Sequence, residues 1–288
     1  MSPHSNDTLL RRACAEYLYI PQRATPQTAS GRVQIDWASA RQQDFQAMLV
    51  TCLMSTSDTP HALEHPKKSS MAGASGYFNA IVSRAGGLEI HTNTACRIAS
   101  RLMTVVYDQT HLAGIPGLRL LGLTSHRVRL IHLPTGARLD LIDSISRERG
   151  KRDMRRNFLR ETRWHDQPHI ERLWEKENVT ASEDAQSHHW ERRACTPLRS
   201  ALMVRAMPIW YKFDLYPTLE APEPGQQHYR LLWDAAADHP QADRVGELLS
   251  RSPIRIPGSR YEAVTHETGL LALDDSGLVL TAVPYPPQ

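Results

Sequence analysis

The pair Gly86-Gly87 constrains this chain more than any other local feature. It sits between two apolar stretches, Tyr77 to Val82 and Leu88 to Val106. A double glycine readily takes the left-handed backbone that ends a helix, so it reads as a stop between two helices. The spacing of Tyr77, Phe78, Ile81 and Val82 predicts a helix over Met71 to Ala85. Ala95, Ile98, Leu102, Val105 and Val106 predict a second, capped at Asn93 or Thr94 and running to Asp108.

The same periodicity places a helix over Asp7 to Tyr19. The clearest amphipathic helix is predicted over Asp36 to Met54, with Asp36 as its cap. Further on, Val128, Leu130 and His132 alternate with Arg127, Arg129 and Ile131. With Pro134-Thr135-Gly136 as a turn, Leu118 to Ile142 reads as a β-hairpin. A second hairpin signal lies at Asp274-Asp275-Ser276-Gly277. Glu171 to Gln186 reads as charged and exposed, Cys195 to Phe213 as core, and Gln226 to Ala237 as a helix. No internal repeat is visible. The expected fold class is mainly α: a helical regulatory-type domain with a less regular C-terminal part in which strands can mix with helices. The expected divisions are 1–142, a basic and charged segment with connector over 143–225, and a C-terminal segment over 226–288.

Composition narrows the function classes. The four cysteines, Cys14, Cys52, Cys96 and Cys195, are scattered, with no metal-finger spacing, which fits a reducing compartment. No apolar run approaches a membrane span, and the N-terminus lacks a signal-peptide core. The net charge is +3 over 288 residues, so any nucleic-acid contact must come from a local patch. Arg147 to Arg163 supplies one: eight basic residues against three acidic give it a local +5. Arg149, Lys151, Arg152, Arg155 and Arg156 are the candidate contacts to nucleic acid or to import machinery.

No nucleophile elbow, dinucleotide fingerprint or phosphate loop is present. Asp140 and Asp143 lack the neighbours of a nucleotidyl-transfer site. His165 and His169 lie four apart with Pro168 between them, and His188-His189 follow. That region carries the alternative reading of an enzyme with a histidine-rich site over 165–189. The expectation is no enzyme, no metal and no cofactor.

The run Tyr77-Phe78-Asn79-Ala80-Ile81-Val82-Ser83-Arg84-Ala85-Gly86-Gly87-Leu88, closing later on Val105-Val106-Tyr107-Asp108, resembles the regulatory domain of fungal-specific transcription factors. Arg84, Gly86 and Gly87 carry the motif, although Ala85 stands where the family has its arginine. The family's six-cysteine zinc cluster is missing. The resemblance implies a helical transcription-regulator-like protein without its own DNA-reading module, located in the nucleus (alternatively the cytoplasm) and tied to a metabolic gene cluster. Its partners would be DNA or a DNA-binding protein, or a second copy in a homodimer, with no membrane. A mobile-element protein that binds nucleic acid through residues 147–163 is the other alternative.

Overall fold

A computed structural model describes residues 3–20, 22, 25–27, 33–36, 38–54, 78–84, 86–107, 111–144, 153–191, 196–213, 215, 217–220, 228–235 and 239–284. The fold is mixed α/β, which corrects the expectation of a mainly helical chain. Thirteen strands among the described residues form two five-stranded sheets and one three-stranded sheet.

The correction begins at the double glycine. Phe78–Arg84 is strand β1 and Gly87–Thr92 is strand β2, paired antiparallel up to Arg84↔Gly87. The segment is a hairpin, not a corner between helices. Apolar residues on both faces of a buried strand mimic helical spacing over a short window, and that produced the helical expectation. In this hairpin Arg84 Nε donates to Glu89 on the facing strand at 3.1 Å. The expected second helix survives only as α3, Ala95–Leu102, and Val105–Tyr107 becomes strand β3.

The two large sheets share one topology. In the first, helix α2 (Ala40–Met54) leads in sequence to the hairpin β1-β2. Helix α3 follows, then β5 (Leu118–Leu123), β6 (Arg127–His132) and β7 (Ala137–Asp143) as a meander. The sheet order is β1-β2-β7-β6-β5, with β2 and β7 parallel and the other neighbours antiparallel. In the second, helix α6 (Thr196–Val204) leads to β9 (Thr218–Glu220) and β10 (Tyr229–Ala235). Helix α7 (Ala242–Ser250) follows, then β11 (Arg260–Ala263), β12 (Thr268–Leu273) and β13 (Ser276–Pro284). The order is β9-β10-β13-β12-β11, again with only the central pair, β10 and β13, parallel. The chain therefore contains a repeat of topology that its sequence does not display. Tyr229–Ala235, expected as helix, is strand because Tyr229, Leu231 and Trp233 alternate inward with Arg230, Leu232 and Asp234 outward.

The two units meet through α2 and α6. Helix α2 touches its own β2 and β7 and also β9 of the second unit; α6 touches its own β13 and also β1 of the first. This reciprocal pattern is that of an approximate twofold. Its seam is apolar with polar ties: Ser200 Oγ donates to Gln46 Oε1 (2.7 Å), Gln46 Nε2 donates to Ser83 Oγ (3.3 Å), and Arg199 Nη1 donates to Thr51 Oγ1 (2.9 Å). Arg199 also lies over the Tyr229 ring, 4.5 Å from its centroid.

Asp36 does not cap α2. Ser39 does, its Oγ accepting from the Gln42 N–H at 3.3 Å. Asp36 instead accepts both guanidinium Nη groups of Arg205 at 2.5 and 2.6 Å. Arg205, 1% exposed, also donates to the carbonyls of Ile254 and Arg255. Helix α1 (Pro3–Tyr17) completes the clamp, its Ala13 and Cys14 packing with Ala80 and Val82 of β1, Val204 of α6 and Leu248 of α7.

The hairpin around Pro134-Thr135-Gly136 is as expected, with Gly136 at φ +67 in the turn between β6 and β7. So is that around Asp274 to Gly277 between β12 and β13. Among the described residues no helix is long and apolar enough to cross a membrane.

The hairpin and the helix corner differ in what they demand of the two glycines. A Cβ on Gly87 would stand 2.8 Å from the Arg138 carbonyl oxygen on the neighbouring strand, whereas one on Gly86 meets nothing within 4 Å. Gly87→Val is expected to cost about 1–3 kcal/mol through forced overlap in the sheet, and Gly86→Ala to change little. Urea midpoints of the two variants check this, and equal effects would contradict the hairpin.

Candidate nucleic-acid interface

The first sheet buries one face and opens the other. Leu88, Ile90, Val128, Leu130, Leu139 and Leu141 point inward against α2 and α3. The alternate positions form the outer face, and strand register arranges them in rows. Arg127 lies opposite Ile142, which lies beside His91; Arg129 lies opposite Asp140, beside Glu89; Ile131 lies opposite Arg138, which neighbours Gly87. Arg84 completes the last row across the hairpin. Four arginines thus share this face with two carboxylates.

Two of the arginines are held by the face itself. Arg127 Nη1 donates to Asp140 at 2.7 Å, and Arg84 is held by Glu89. Arg129 and Arg138 are exposed, and neither makes an ion pair among the described residues.

Both margins of the face are covered. On the β1 side, α1 packs over Ala80 and Val82. On the β5 side, the segment from Lys176 to Glu183 covers Arg119, whose guanidinium reaches the carbonyls of Lys176 (2.7 Å) and Asn178 (2.8 Å) and both oxygens of Glu183 (2.8 Å each). Between the margins, β2, β7, β6 and the far half of β5 form an open floor, with Leu121 49% exposed at its rim.

Glu183 is fully buried, although its segment was expected to be solvated. The pattern Thr180-x-x-Glu183 is the signal that finds it. It is a capping box at the start of α5 (Ala181–Glu191): the Thr180 N–H donates to Glu183 Oε2 at 2.9 Å, and the Glu183 N–H to Thr180 Oγ1 at 3.3 Å. Burial alone would raise the Glu183 pKa, but the Arg119 guanidinium and the N–H groups of Thr180 and Gly117 hold it below the usual value. Beneath this corner His132 is 1% exposed, stacked on Phe45 (5.3 Å between centroids) and bonded through Nδ1 to Thr135 Oγ1 at 2.8 Å. Desolvation pushes its pKa down to about 4.

The basic segment is described from Asp153 onward; Arg149, Lys151 and Arg152 lie outside the described residues. Helix α4, Met154–Thr162, buries Met154, Phe158 and Thr162, with Phe158 edge-on to Trp174 and the Cys96 thiol against the Met154 carbonyl at 3.7 Å. Its other side exposes Arg155, Arg156, Leu159 and Arg160, and Arg163 follows. Asp153 caps the helix by accepting from the Arg156 N–H at 3.1 Å. Arg160 pairs with Glu161; Arg155, Arg156 and Arg163 form no ion pair among the described residues. A groove of about 550 Å³ runs between the start of α4 and the β5–β6 turn, lined by Leu120, Leu123, Thr124, Ser125, Asp153, Met154 and Arg155. Leu120 and Leu123 pair with the inward Leu130 and Val128, so this groove lies on the helix side of the sheet, opposite the face that carries Arg129 and Arg138.

The other candidates do not converge. His169 is an exposed turn residue; the side chains of His165, His188 and His189, and all of Cys195, lie outside the described residues. Cys14, Cys52 and Cys96 are free and buried. Asp140 faces outward while Asp143 is buried, so the two do not share a site. Among the described residues no three His, Cys, Asp or Glu gather as metal ligands.

The fold and this surface define a tandem-repeat α/β protein with an arginine-bearing open sheet. No family model, curated protein or solved structure matches the chain.

The Arg119–Glu183–His132 corner makes the β5 margin sensitive to acid. As pH falls from 6.5 towards about 4, the unfolded chain protonates His132 while the native one does not, so native stability is lost, by up to ~3 kcal/mol. Glu183 acts in the same direction, because a depressed carboxylate pKa contributes stability that disappears as pH drops through it. Chemical denaturation at stepped pH should show this slope, and His132→Gln should flatten it. Glu183→Gln should cost about 3–5 kcal/mol at neutral pH by leaving Arg119 buried and unpaired.

Proposed function

We propose that this protein is a nucleic-acid-contacting regulator rather than an enzyme, working in transcription control in the nucleus. One observation supports the reading: Arg129, Arg138, Arg155, Arg156 and Arg163 are exposed and form no ion pair among the described residues. Arg129 and Arg138 stand on the open sheet, and Arg155, Arg156 and Arg163 on and after α4. Arg155 and Arg156 occupy the first turn of α4, where the helix dipole disfavours cations. Their position does nothing for the helix, so an external anion is the simpler reason for it. The Lys/Arg residues at 149, 151 and 152 precede them directly and add to the same charge. Phosphate backbones are the anions that such spaced, exposed guanidinium groups suit best.

The transcriptional setting rests on the resemblance of the 77–108 segment alone, and that segment folds as strand, strand, helix and strand. The contact with nucleic acid rests on the arginines and stands apart from the setting.

The test is binding of fluorescent single-stranded and duplex DNA followed by anisotropy over a salt series. Affinity is expected to fall steeply with salt, and the double charge reversal Arg155→Glu with Arg156→Glu to reduce both affinity and the log–log slope by about two phosphate contacts. Binding to neither DNA form, or binding insensitive to salt, would remove the proposal.

A further inference from the structure

We infer that the open floor of the first sheet is a binding site for single-stranded nucleic acid, with Arg129 and Arg138 as its phosphate contacts. The inference rests on the proposed nucleic-acid contact and names the form of ligand that the sheet accepts.

The argument is one of shape and spacing. The floor lies between two covered margins, α1 over Ala80 and Val82 on one side and the Lys176 to Glu183 segment over Arg119 on the other. Parts of three strands and half of a fourth remain exposed or half-buried, with Ile142 of β7 and Gly87 of β2 buried among them, over a width on the order of 14 Å at the usual strand separation. Among the described residues nothing on this floor projects as a helix or ribbon that would enter a duplex major groove, which is how base edges of a duplex are reached. An extended single strand needs no projecting element. It needs cations repeated along a path and a surface for base faces.

The register supplies both. Arg127 and Arg129 are two residues apart on one strand, and Arg138 lies on the diagonal from Arg129 on the next. Both steps are about 7 Å, comparable to the step between phosphates on an extended strand. Arg127 is engaged by Asp140, which fixes it at the edge of the path, while Arg129 and Arg138 keep exposed guanidinium planes. Half-buried Ile131 lies between these two arginines in the sheet, and exposed Leu121 lies beside Arg129 at the β5 irregularity. They offer apolar contact to bases, and arginine planes stack on bases as well. Beyond Arg138, the neighbouring β2 position is Gly87, itself buried against the Arg138 strand. The corresponding face of the second sheet carries Leu232, Leu270, Val279 and Thr281 at its centre, with Arg230 beside them near Glu220 (3.8 Å) and Arg260 on the outermost strand. It has no pair of neighbouring exposed arginines like Arg129 and Arg138.

The deciding measurement compares fluorescent oligothymidine with a duplex of equal length, using the full chain and two double variants. Wild type is expected to bind oligothymidine at least about tenfold more tightly than duplex. Arg129→Glu with Arg138→Glu is expected to lose about tenfold or more in oligothymidine affinity, with an unchanged thermal midpoint showing that the sheet is intact. Should that variant unfold, Arg129→Gln with Arg138→Gln removes the charge without reversing it and is read in the same way. If duplex binds as well as oligothymidine, or if reversal at Arg155 and Arg156 abolishes binding while the sheet variant retains it, this inference fails and the proposed function stands. If neither DNA form binds, both fail. Displacement of oligothymidine by polyglutamate at equal charge concentration would mark the face as a site for acidic protein, and would also overturn the inference.

Discussion

Everything in this molecule is arranged around the contact between α2 and α6. Each helix packs on its own sheet and on the first strand of the other unit, so neither unit completes its core alone. The contact is not a purely apolar seam. Gln46 lies 1% exposed between Ser83 and Ser200, and Arg199 is fixed between Thr51 and the Tyr229 ring. Buried polar groups are costly unless paired, and each pairing is satisfied only when the helices meet in one register. The seam thereby sets the angle between the sheets as well as joining them. Arg205 and Asp36 add a second tie, linking the approach to α2 with the end of α6 and with the Ile254–Arg255 backbone.

Fixing the helices to the inner faces leaves the outer faces without a structural task. The two have diverged in chemistry. On the first sheet the outward positions of β6 and β7 are Arg127, Arg129, Ile131, Arg138, Asp140 and Ile142; on the second, those of β10 and β13 include Arg230, Leu232, Asp234, Val279 and Thr281, with one arginine in place of three. Covering differs too, since α1 and the Lys176 to Glu183 segment close only the margins of the first face. The buried Arg119–Glu183 pair keeps that second margin in place, and its dependence on an ionised carboxylate and on a neutral His132 beneath it makes the margin the part most responsive to acid.

The legibility of the sequence followed the turn chemistry. Pro134-Thr135-Gly136 and Asp274 to Gly277 each sit between clean alternations, so both hairpins were readable. Gly86-Gly87 was ambiguous because a double glycine ends a helix and reverses a strand equally well. The flanking Phe78, Ala80, Ile81 and Val82 are all buried, so the period-two signal that would have marked β1 is absent. Tyr229–Ala235 does alternate, but it is short and flanked by polar and proline-rich sequence, so its period-two signal is weak. The basic residues of α4 were legible as a charge run. The sheet face was not, because Arg84, Arg129 and Arg138 are separated by up to 54 positions and become neighbours only through the pairing of β1 with β2, of β2 with β7 and of β7 with β6.

That same pairing bears on why the arginines are there. Cross-strand like charges are avoided in sheets built for stability alone, and opposite charges are placed face to face. The first sheet sets Asp140 directly opposite Arg129, while its bonded pairs, Arg127–Asp140 and Arg84–Glu89, run along diagonals. Arg138 has Ile131 on one side and Gly87 on the other, neither able to neutralise it, and Arg129 faces an Asp140 already bonded to Arg127. At α4 the pattern recurs, with Asp153 committed to the backbone cap and two arginines placed against the helix dipole. A fold that elsewhere pairs Arg119 and Arg205 so fully has the means to neutralise its cations. Leaving these in solvent is a small electrostatic cost that a bound polyanion would offset.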